Sequence, residues 1–294
     1  MNNIDFIKSS IILIKSRKEI VFAVTWTASL ASIIAGRGFP PIYPTLLAIL
    51  TVMMINLSVY IYNDVIDKEM DAYSEQEKKK SRPIAHGEVT EKTAMRFVGL
   101  TALIGILSCY MINDITFIAG LVYFVLLYLY SYPNVRFKTT YIVKNLVTSL
   151  VLPAAFFITG TAVEQAITFS TLFLTTAYFI LSFALLPAIA DMLDYEEDLA
   201  FNIKTLGNTL SWKQNLLVFN VGILVIIISG LTAYLVLGLN MFVPIILTVI
   251  GVPVMGYTYV LRNESGLTAS YKLRPVGYVL VMLTPLIMSI GAVL

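Results

Sequence analysis

The chain is poor in charge, cysteine and histidine. Charged residues make up 13% of its 294 residues, while 58% are hydrophobic and the mean hydropathy is +0.83. This balance excludes an ordinary soluble domain. The single cysteine, Cys109, excludes an intramolecular disulfide and a thiolate zinc cluster, and the single histidine, His86, argues against a bis-histidine haem site. The net charge of +2 offers no support for nucleic-acid binding.

Long apolar stretches fill most of the chain. A helix needs about 20 apolar residues to cross the hydrocarbon layer of a membrane. Nine stretches meet this requirement, near residues 19–36, 41–62, 93–112, 115–132, 142–163, 167–190, 215–238, 241–261 and 275–294. The sequence therefore predicts an all-α membrane protein with nine transmembrane helices and a single domain over residues 1–294.

Acidic residues occur twice with the spacing D-x-x-D-x-x-x-D. The first acidic block is Asp64, Asp67 and Asp71, and the second acidic block, 127 residues later, is Asp191, Asp194 and Asp198. Residues three, four and seven apart share one face of a helix, so we expect each block to project its carboxylates toward a common point. A solvated helix end would explain one block alone. Two blocks of the same spacing, each directly after an apolar stretch, indicate a cation site instead.

The basic residues predict the orientation of the chain in the cell membrane. Nine spans place successive connections on alternate sides, and 19 of the 20 Lys and Arg residues fall on one side, with Arg37 as the exception. The positive-inside rule then predicts a cytoplasmic N-terminus, an external C-terminus and two cytoplasmic acidic blocks. Residues 4–15 are predicted to form an amphipathic helix on the cytoplasmic surface. A secretory signal is the less favoured reading of the first span, because its apolar run is too long.

Oxygen ligands in this arrangement suit Mg²⁺, which prefers carboxylates and completes its shell with water and phosphate oxygens. Asn63 stands at four-residue intervals before Asp67 and Asp71. The predicted metal ligands are therefore Asn63, Asp67, Asp71, Asp191, Asp194 and Asp198. Mg²⁺ held by two acidic blocks is suited to bind a diphosphate, and a diphosphate also requires basic partners. The predicted diphosphate-binding residues are Asp64, Arg82, Arg136, Lys138 and Lys204, whereas the run Lys78, Lys79 and Lys80 is better explained by membrane topology.

Tyrosines are abundant near the predicted cytoplasmic helix ends, and most of them fit an interfacial belt. An aromatic face inside the bundle could also stabilise a carbocation through cation–π attraction, which contributes about 2 kcal/mol or more when desolvated. Tyr130 is the first candidate for this role. The predicted catalytic residues are thus Asp67, Asp71, Asp191, Asp194 and Tyr130.

Four segments together resemble the UbiA superfamily of intramembrane prenyltransferases, and the resemblance extends along essentially the whole chain. They are NDVIDKEMD (63–71), SRPIAHG (81–87), YSYPNVRFK (130–138) and DMLDYEEDLAFNIKTLG (191–207). The resemblance implies transmembrane helices bundled around a central cavity that polar cytoplasmic connections cap. It also implies Mg²⁺ and diphosphate at the aspartates, with phosphate contacts from Arg82, Lys138 and Lys204. Asn134 and the lack of a glycine before K-T-L depart from the common pattern, which weakens any transfer of acceptor identity.

The predicted function is Mg²⁺-dependent transfer of an isoprenyl group from a prenyl diphosphate donor to a lipophilic acceptor among the membrane lipids. Terpene cyclisation is the alternative, since it would use the same aspartates to ionise the diphosphate without an acceptor. A transporter with an acidic vestibule is a weaker alternative. Transport sites usually lie near the bilayer midplane, where the apolar stretches of this chain contain almost no ionisable residues.

Overall fold

The computed structural model describes residues 3–73, 82–200 and 203–294, so Lys78, Lys79 and Lys80 lie outside the described residues. In these three ranges the chain forms helices and no strands. The helices are α1 (Asn3–Ser16), α2 (Lys18–Ala35), α3 (Ile42–Ile66), α4 (Lys68–Tyr73), α5 (Glu91–Tyr110), α6 (Asp114–Ser131), a 3₁₀ turn (Phe137–Thr139), α7 (Val143–Ser149), α8 (Val151–Glu164), α9 (Phe169–Leu185), α10 (Pro187–Leu193), α11 (Tyr195–Ala200), α12 (Leu206–Thr209), α13 (Trp212–Leu237), α14 (Phe242–Leu261) and α15 (Gly266–Val293).

In the part of the chain that the structure describes, eight helical segments are long and apolar enough to cross a membrane, and the bent pair α7 and α8 raises the number to nine. The all-α membrane architecture expected from the sequence is thereby confirmed. The last span begins at Gly266, nine residues earlier than its apolar composition suggested, because the helix continues through Lys272 and Arg274. Charged side chains at a helix end do not interrupt the backbone hydrogen bonds, so hydropathy alone places such a boundary poorly.

The fifth span is bent by 43° between α7 and α8. Pro153 explains the position of the bend. Proline lacks the N–H that would bond to the carbonyl of Ser149, four residues earlier, and its ring clashes with that carbonyl. Helix α7 accordingly ends at Ser149 and α8 resumes at Val151.

Proline also interrupts the span that leads to the second acidic block. Helix α9 ends at Leu185, and α10 begins with Pro187 in its first position, where the missing N–H is tolerated. The short helix that carries Asp191 is thus separated from the long span before it.

Apolar side chains from most of the long helices meet in one core, which includes Ile55, Phe156, Leu181 and Phe219. A second apolar cluster joins α3 and α5 to Leu13 of α1. The predicted N-terminal amphipathic helix is present as α1, with Leu13 buried and Ile7, Ile11 and Ile14 exposed on another face. The contact of α1 with α5 places the residue that follows it, Arg17, against the end of α3.

Candidate active site

The two acidic blocks share one backbone conformation. Helix α3 stops before Asp67 (φ −95°, ψ 11°), and α10 stops before Asp194 (φ −92°, ψ 8°). In both blocks a short helix then follows, and the N–H of the third aspartate donates to the carbonyl of the second at 2.8 Å. The expectation of one continuous helix through each block is corrected, since the chain turns at the middle aspartate. The equal spacing in the sequence therefore reflects two equivalent local structures.

In the first acidic block, guanidinium groups hold the first and third carboxylates. Arg17 binds Asp64 in a bidentate manner, with Nε 2.9 Å from Oδ2 and an Nη atom on Oδ1. Arg82 lies 3.2 Å from Asp64 Oδ1 and also donates to Asp71. Both carboxylates are at least 98% buried. Arg82 thus bridges Asp64 and Asp71, and Asp64 is shared between Arg82 and Arg17.

The middle carboxylate of the first block has different partners. Asn63 Nδ2 donates to Asp67 Oδ2 at 2.7 Å and lies 2.7 Å from Ser131 Oγ at the end of α6. Lys138, in the 3₁₀ turn, forms an ion pair with the other oxygen of Asp67. The predicted association of Asn63, Asp67 and Lys138 is therefore present in the structure.

In the second acidic block, one ammonium group bridges the first and third carboxylates. Lys144 Nζ lies 3.1 Å from Asp191 Oδ1 and 3.2 Å from Asp198 Oδ2. Two neutral donors reach the other oxygen of Asp191. They are Asn145 Nδ2 at 2.7 Å and the backbone N–H of Leu206 at 3.2 Å. Lys144 has the position in this block that Arg82 has in the first.

The segment K-T-L-G packs directly on the second block. Thr205 begins α12 with a capping box shared with Asn208, which fixes the direction of the Leu206 N–H. Gly207 then passes so close to α10 that a Cβ atom would lie 2.4 Å from the carbonyl carbon of Asp191. Only glycine fits this approach.

The segment between Tyr130 and Asn145 contacts both blocks. Two of its residues have positive φ without being glycine, Arg136 (φ 48°) and Ile142 (φ 65°). Each stands two residues before a lysine that reaches an aspartate, Lys138 or Lys144. Such conformations cost about 1–3 kcal/mol and persist where the surroundings determine them. At Ile142 the β-branched side chain makes the strain most severe.

This segment also brings the two blocks toward each other. Lys138 contacts the first block and Lys144 contacts the second. Burial lowers the pKa of Lys138 to about 8, and repulsion by the nearby charge of Lys144 adds to this shift. Tyr130 lies near Asp191, Asp194 and Asp198, and also near Tyr60 of α3. Burial raises the pKa of Asp198 to about 6, against the opposing charge of Lys144. The two blocks therefore form one site, and Tyr130 lies near its second block.

Two predicted diphosphate ligands stand apart from these contacts. Arg136 and Lys204 are exposed, and neither forms an ion pair with an acidic residue in the described parts of the chain. For Arg136 the reason is its left-handed backbone, which serves to place Lys138 while its own side chain points to solvent.

Sequence reasoning missed three residues that contact the blocks, namely Arg17, Lys144 and Asn145. The two cations were counted only as markers of membrane orientation, although each adjoins an apolar stretch. Arg17 is 9% exposed, and burial with a smaller effect of Arg82 lowers its pKa to about 9, so it stays charged at neutral pH. Asn145 carries no charge and no motif spacing that could reveal it.

The donor atoms at the site fit a hard divalent cation, since they are carboxylate and amide oxygens. Buried carboxylates from two helix ends and an Asn145 oxygen without a hydrogen-bond partner supply this chemistry. Within residues 3–73, 82–200 and 203–294, however, no three Asp, Glu, His or Cys side chains converge into a metal-binding group. The carboxylates face the four cationic side chains instead.

Solved structures share this fold. A digeranylgeranylglyceryl phosphate synthase superposes with a TM-score of 0.77 at 16% identity, covering 98% of this chain and 99% of that one. A UbiA homologue from Archaeoglobus fulgidus bound to GPP and Mg²⁺ superposes with a TM-score of 0.63 at 18% identity, covering 92% of this chain and 98% of that one. These likenesses confirm the predicted architecture.

Relatives in sequence are 4-hydroxybenzoate octaprenyltransferases. The protein of Vesicomyosocius okutanii is 26% identical over 185 residues, which cover 63% of this chain and 65% of that protein. The protein of Shewanella denitrificans is 29% identical over 107 residues, or 36% of either chain. The alignments thus span just under two thirds and about one third of these relatives.

The model of the UbiA prenyltransferase family matches residues 24–274, which run from within α2 to the first part of α15 and include both acidic blocks. This match confirms the resemblance drawn from the four sequence motifs. The chain is a multi-pass membrane protein that belongs to the UbiA prenyltransferase family.

Proposed function

We propose that this chain transfers an isoprenyl group from a prenyl diphosphate to a lipophilic acceptor within the membrane. One observation carries the proposal: the two acidic blocks share one backbone turn, and in each block one cationic side chain, Arg82 or Lys144, bridges the first and third carboxylates. Membership of a prenyltransferase family and the names of the relatives support it. The family neighbours with bound GPP or DMAPP also contain Mg²⁺.

Mg²⁺ is the proposed cofactor, and Asn63, Asp67, Asp71, Asp191, Asp194 and Asp198 are its proposed ligands. Bound there, it would neutralise charge that develops on the leaving diphosphate. Arg82, Lys138 and Lys144 stand among these carboxylates, and we assign them to the phosphate oxygens. Arg17 pairs with Asp64 and orients its carboxylate. We leave Arg136 and Lys204 out of the site because both are exposed.

Tyr130 is the proposed aromatic neighbour of the allylic cation. Its electrostatic interaction with the three aspartates of the second block supports this assignment. The apolar core between the long helices suits the isoprenoid tail and excludes water that would otherwise quench the cation.

We infer that the N-terminus and the acidic blocks face the cytoplasm and that the C-terminus is external, with residues 1–294 acting as one membrane domain. An odd number of spans supports termini on opposite sides, and the distribution of Lys and Arg supports the orientation.

The test uses purified protein with geranyl, farnesyl and geranylgeranyl diphosphates, with and without Mg²⁺. Native lipid extract and 4-hydroxybenzoate are offered separately as acceptors, and products are identified by mass spectrometry. We expect Mg²⁺-dependent diphosphate release together with a prenylated lipid. A prenylated hydroxybenzoate would retain transfer but change the acceptor. A cyclic hydrocarbon as the only product, or no release from any donor, would refute the proposal.

A further inference from the structure

Asn145 is fully buried at the start of α7, and only half of its amide has a partner. Nδ2 donates to Asp191 Oδ2 at 2.7 Å, whereas Oδ1 has no hydrogen-bond partner among the described residues. A buried acceptor without a partner costs about 1–3 kcal/mol. Because it lies beside an acidic block, this unpaired oxygen is available to a bound cation.

Chemistry fixes which atom of the amide faces Asp191. An ionised carboxylate can only accept hydrogen bonds, so the NH₂ group must point to it and the amide oxygen must point elsewhere. Oδ1 and Nδ2 are bonded to the same carbon, so Oδ1 also lies beside the second acidic block. The N–H of Leu206 and the ammonium of Lys144 are directed at Asp191 itself.

The first acidic block contains the same amide contact. Asn63 Nδ2 donates to Asp67 Oδ2 at 2.7 Å, the length that Asn145 has to Asp191. Asn63 stands on the helix that carries its own block, while Asn145 reaches the second block from another helix. Each block thus has one asparagine donor, which comes from the block's own helix in the first case and from another helix in the second.

The backbone before Asn145 supports a functional placement. Ile142 has φ 65°, a conformation that a β-branched residue adopts only under constraint. It begins the short helix whose second and third residues, Lys144 and Asn145, both reach Asp191. Strain held at a ligand-binding position is a recurrent feature of such sites.

We propose that Asn145 Oδ1 is a ligand of a divalent cation at the second acidic block, and that Nδ2 orients Asp191 for the same cation. This inference rests on the proposed function only in assuming that the site takes a divalent cation. It adds a ligand that the D-x-x-D-x-x-x-D spacing does not contain.

The experiment is a Mn²⁺ titration of the purified chain without prenyl diphosphate, read from the electron paramagnetic resonance signal of free Mn²⁺. Asn145→Ala should raise the Kd for Mn²⁺ about 10- to 100-fold, the range found when groups that support a metal site are removed. Asn145→Asp keeps an oxygen at the Oδ1 position but loses the donor to Asp191, so its Kd should lie between those of the alanine variant and the unmodified chain.

Asn215→Ala is the matched control. Asn215 is also buried with an unpartnered Oδ1, but its Nδ2 contacts the carbonyl of Leu210 and no acidic side chain. Its Kd for Mn²⁺ should stay unchanged. Size-exclusion profiles report folding, and Asn145→Ser replaces Asn145→Ala in the titration if the alanine variant aggregates.

An unchanged Kd in Asn145→Ala would overturn the inference, as would an Asn145→Asp variant that binds as weakly as the alanine variant. Absence of Mn²⁺ binding by the unmodified chain would also overturn it. If the unmodified chain binds Mn²⁺ and the variants behave as expected, but no diphosphate is released from any donor, the proposed function fails and the ligand assignment stands.

Discussion

The first acidic block draws its partners from distant parts of the chain, whereas the second draws them from one short segment and from backbone. Arg17 and Arg82 stand on either side of α3 in sequence and meet at Asp64. Lys144 and Asn145 are adjacent residues, and Leu206 adds a main-chain N–H at Asp191. The same spacing and the same backbone turn are thus compatible with two unlike sets of partners.

This difference has a chemical consequence. A guanidinium offers a planar fork that matches both carboxylate oxygens, as Arg17 does at Asp64, while an ammonium is a compact charge that can serve two carboxylates at once. The first block is therefore oriented mainly by guanidinium groups. In the second block one ammonium pairs with Asp191 and Asp198, and two neutral donors hold the other oxygen of Asp191.

Removal of one carboxylate from each block should have the largest effect. Asp67→Asn and Asp191→Asn should each lower Mg²⁺-dependent transfer by about 10²–10³-fold, the usual effect of losing a preorganised electrostatic contact at a reaction centre. Turnover assays on variants that elute as the folded protein would measure this. Full activity in either variant would show that the two blocks are not equivalent parts of one site.

The bridging cations provide the next comparison. Arg82→Ala and Lys144→Ala should each raise the KM for the prenyl diphosphate about 10- to 100-fold, since a charge-assisted hydrogen bond contributes about 1.5–3 kcal/mol. Arg136→Ala is the control, because this side chain is exposed and unpaired among the described residues, and should change the KM by less than about twofold. If only Arg82→Ala raises the KM, the analogy between the two cations is wrong.

The second block is packed against Gly207 of α12. Gly207→Ala should lower the free energy of unfolding by about 1–3 kcal/mol, because the new methyl group overlaps the backbone of Asp191. Gly99→Ala is the control, since no atom lies within 4 Å of its Cβ position, and it should be neutral or slightly stabilising. Thermal unfolding in detergent distinguishes the two. Equal midpoints would argue against the close approach of α12.

A smaller effect should appear in the pH dependence of the metal-free chain. The pKa of Asp198 is about 6 in the folded chain and near its usual value of 3.8 when unfolded. Between these values the folded state binds more protons, so this group makes the fold less stable as pH rises from about 4 to 6. Asn does not titrate. With EDTA present, Asp198→Asn should therefore gain thermal stability relative to the unmodified chain between pH 4 and 7, and a constant difference would contradict the raised pKa.

Hydropathy and spacing were sufficient for the architecture and for the acidic residues. Each span was visible because a membrane helix must carry its own apolar surface and satisfy its own backbone. The blocks were visible because both patterns lie within a single stretch of chain. Pro153 makes a bend in the fifth span possible, but only the structure shows that the bend lies at Leu150.

The residues that pair with the acidic blocks were harder to predict from the sequence. Lys138 was identified from the segment that follows Tyr130 and reaches Asp67, whereas Arg136, predicted for the same cluster two residues earlier, is exposed. A left-handed backbone at a non-glycine residue leaves no clear mark in the sequence. Which of two neighbouring cations turns inward was therefore undecidable from residue order alone.

The amino-acid sequence by itself determined the apolar spans, the repeated aspartates and the family, because these depend on local composition and short spacings. Only the tertiary structure decided that Arg17, Lys144 and Asn145 meet the aspartates. Contacts between segments separated by tens of residues depend on how helices pack and where the chain turns. Those depend on the whole bundle, since burial of a charge is favourable only where another segment supplies its partner.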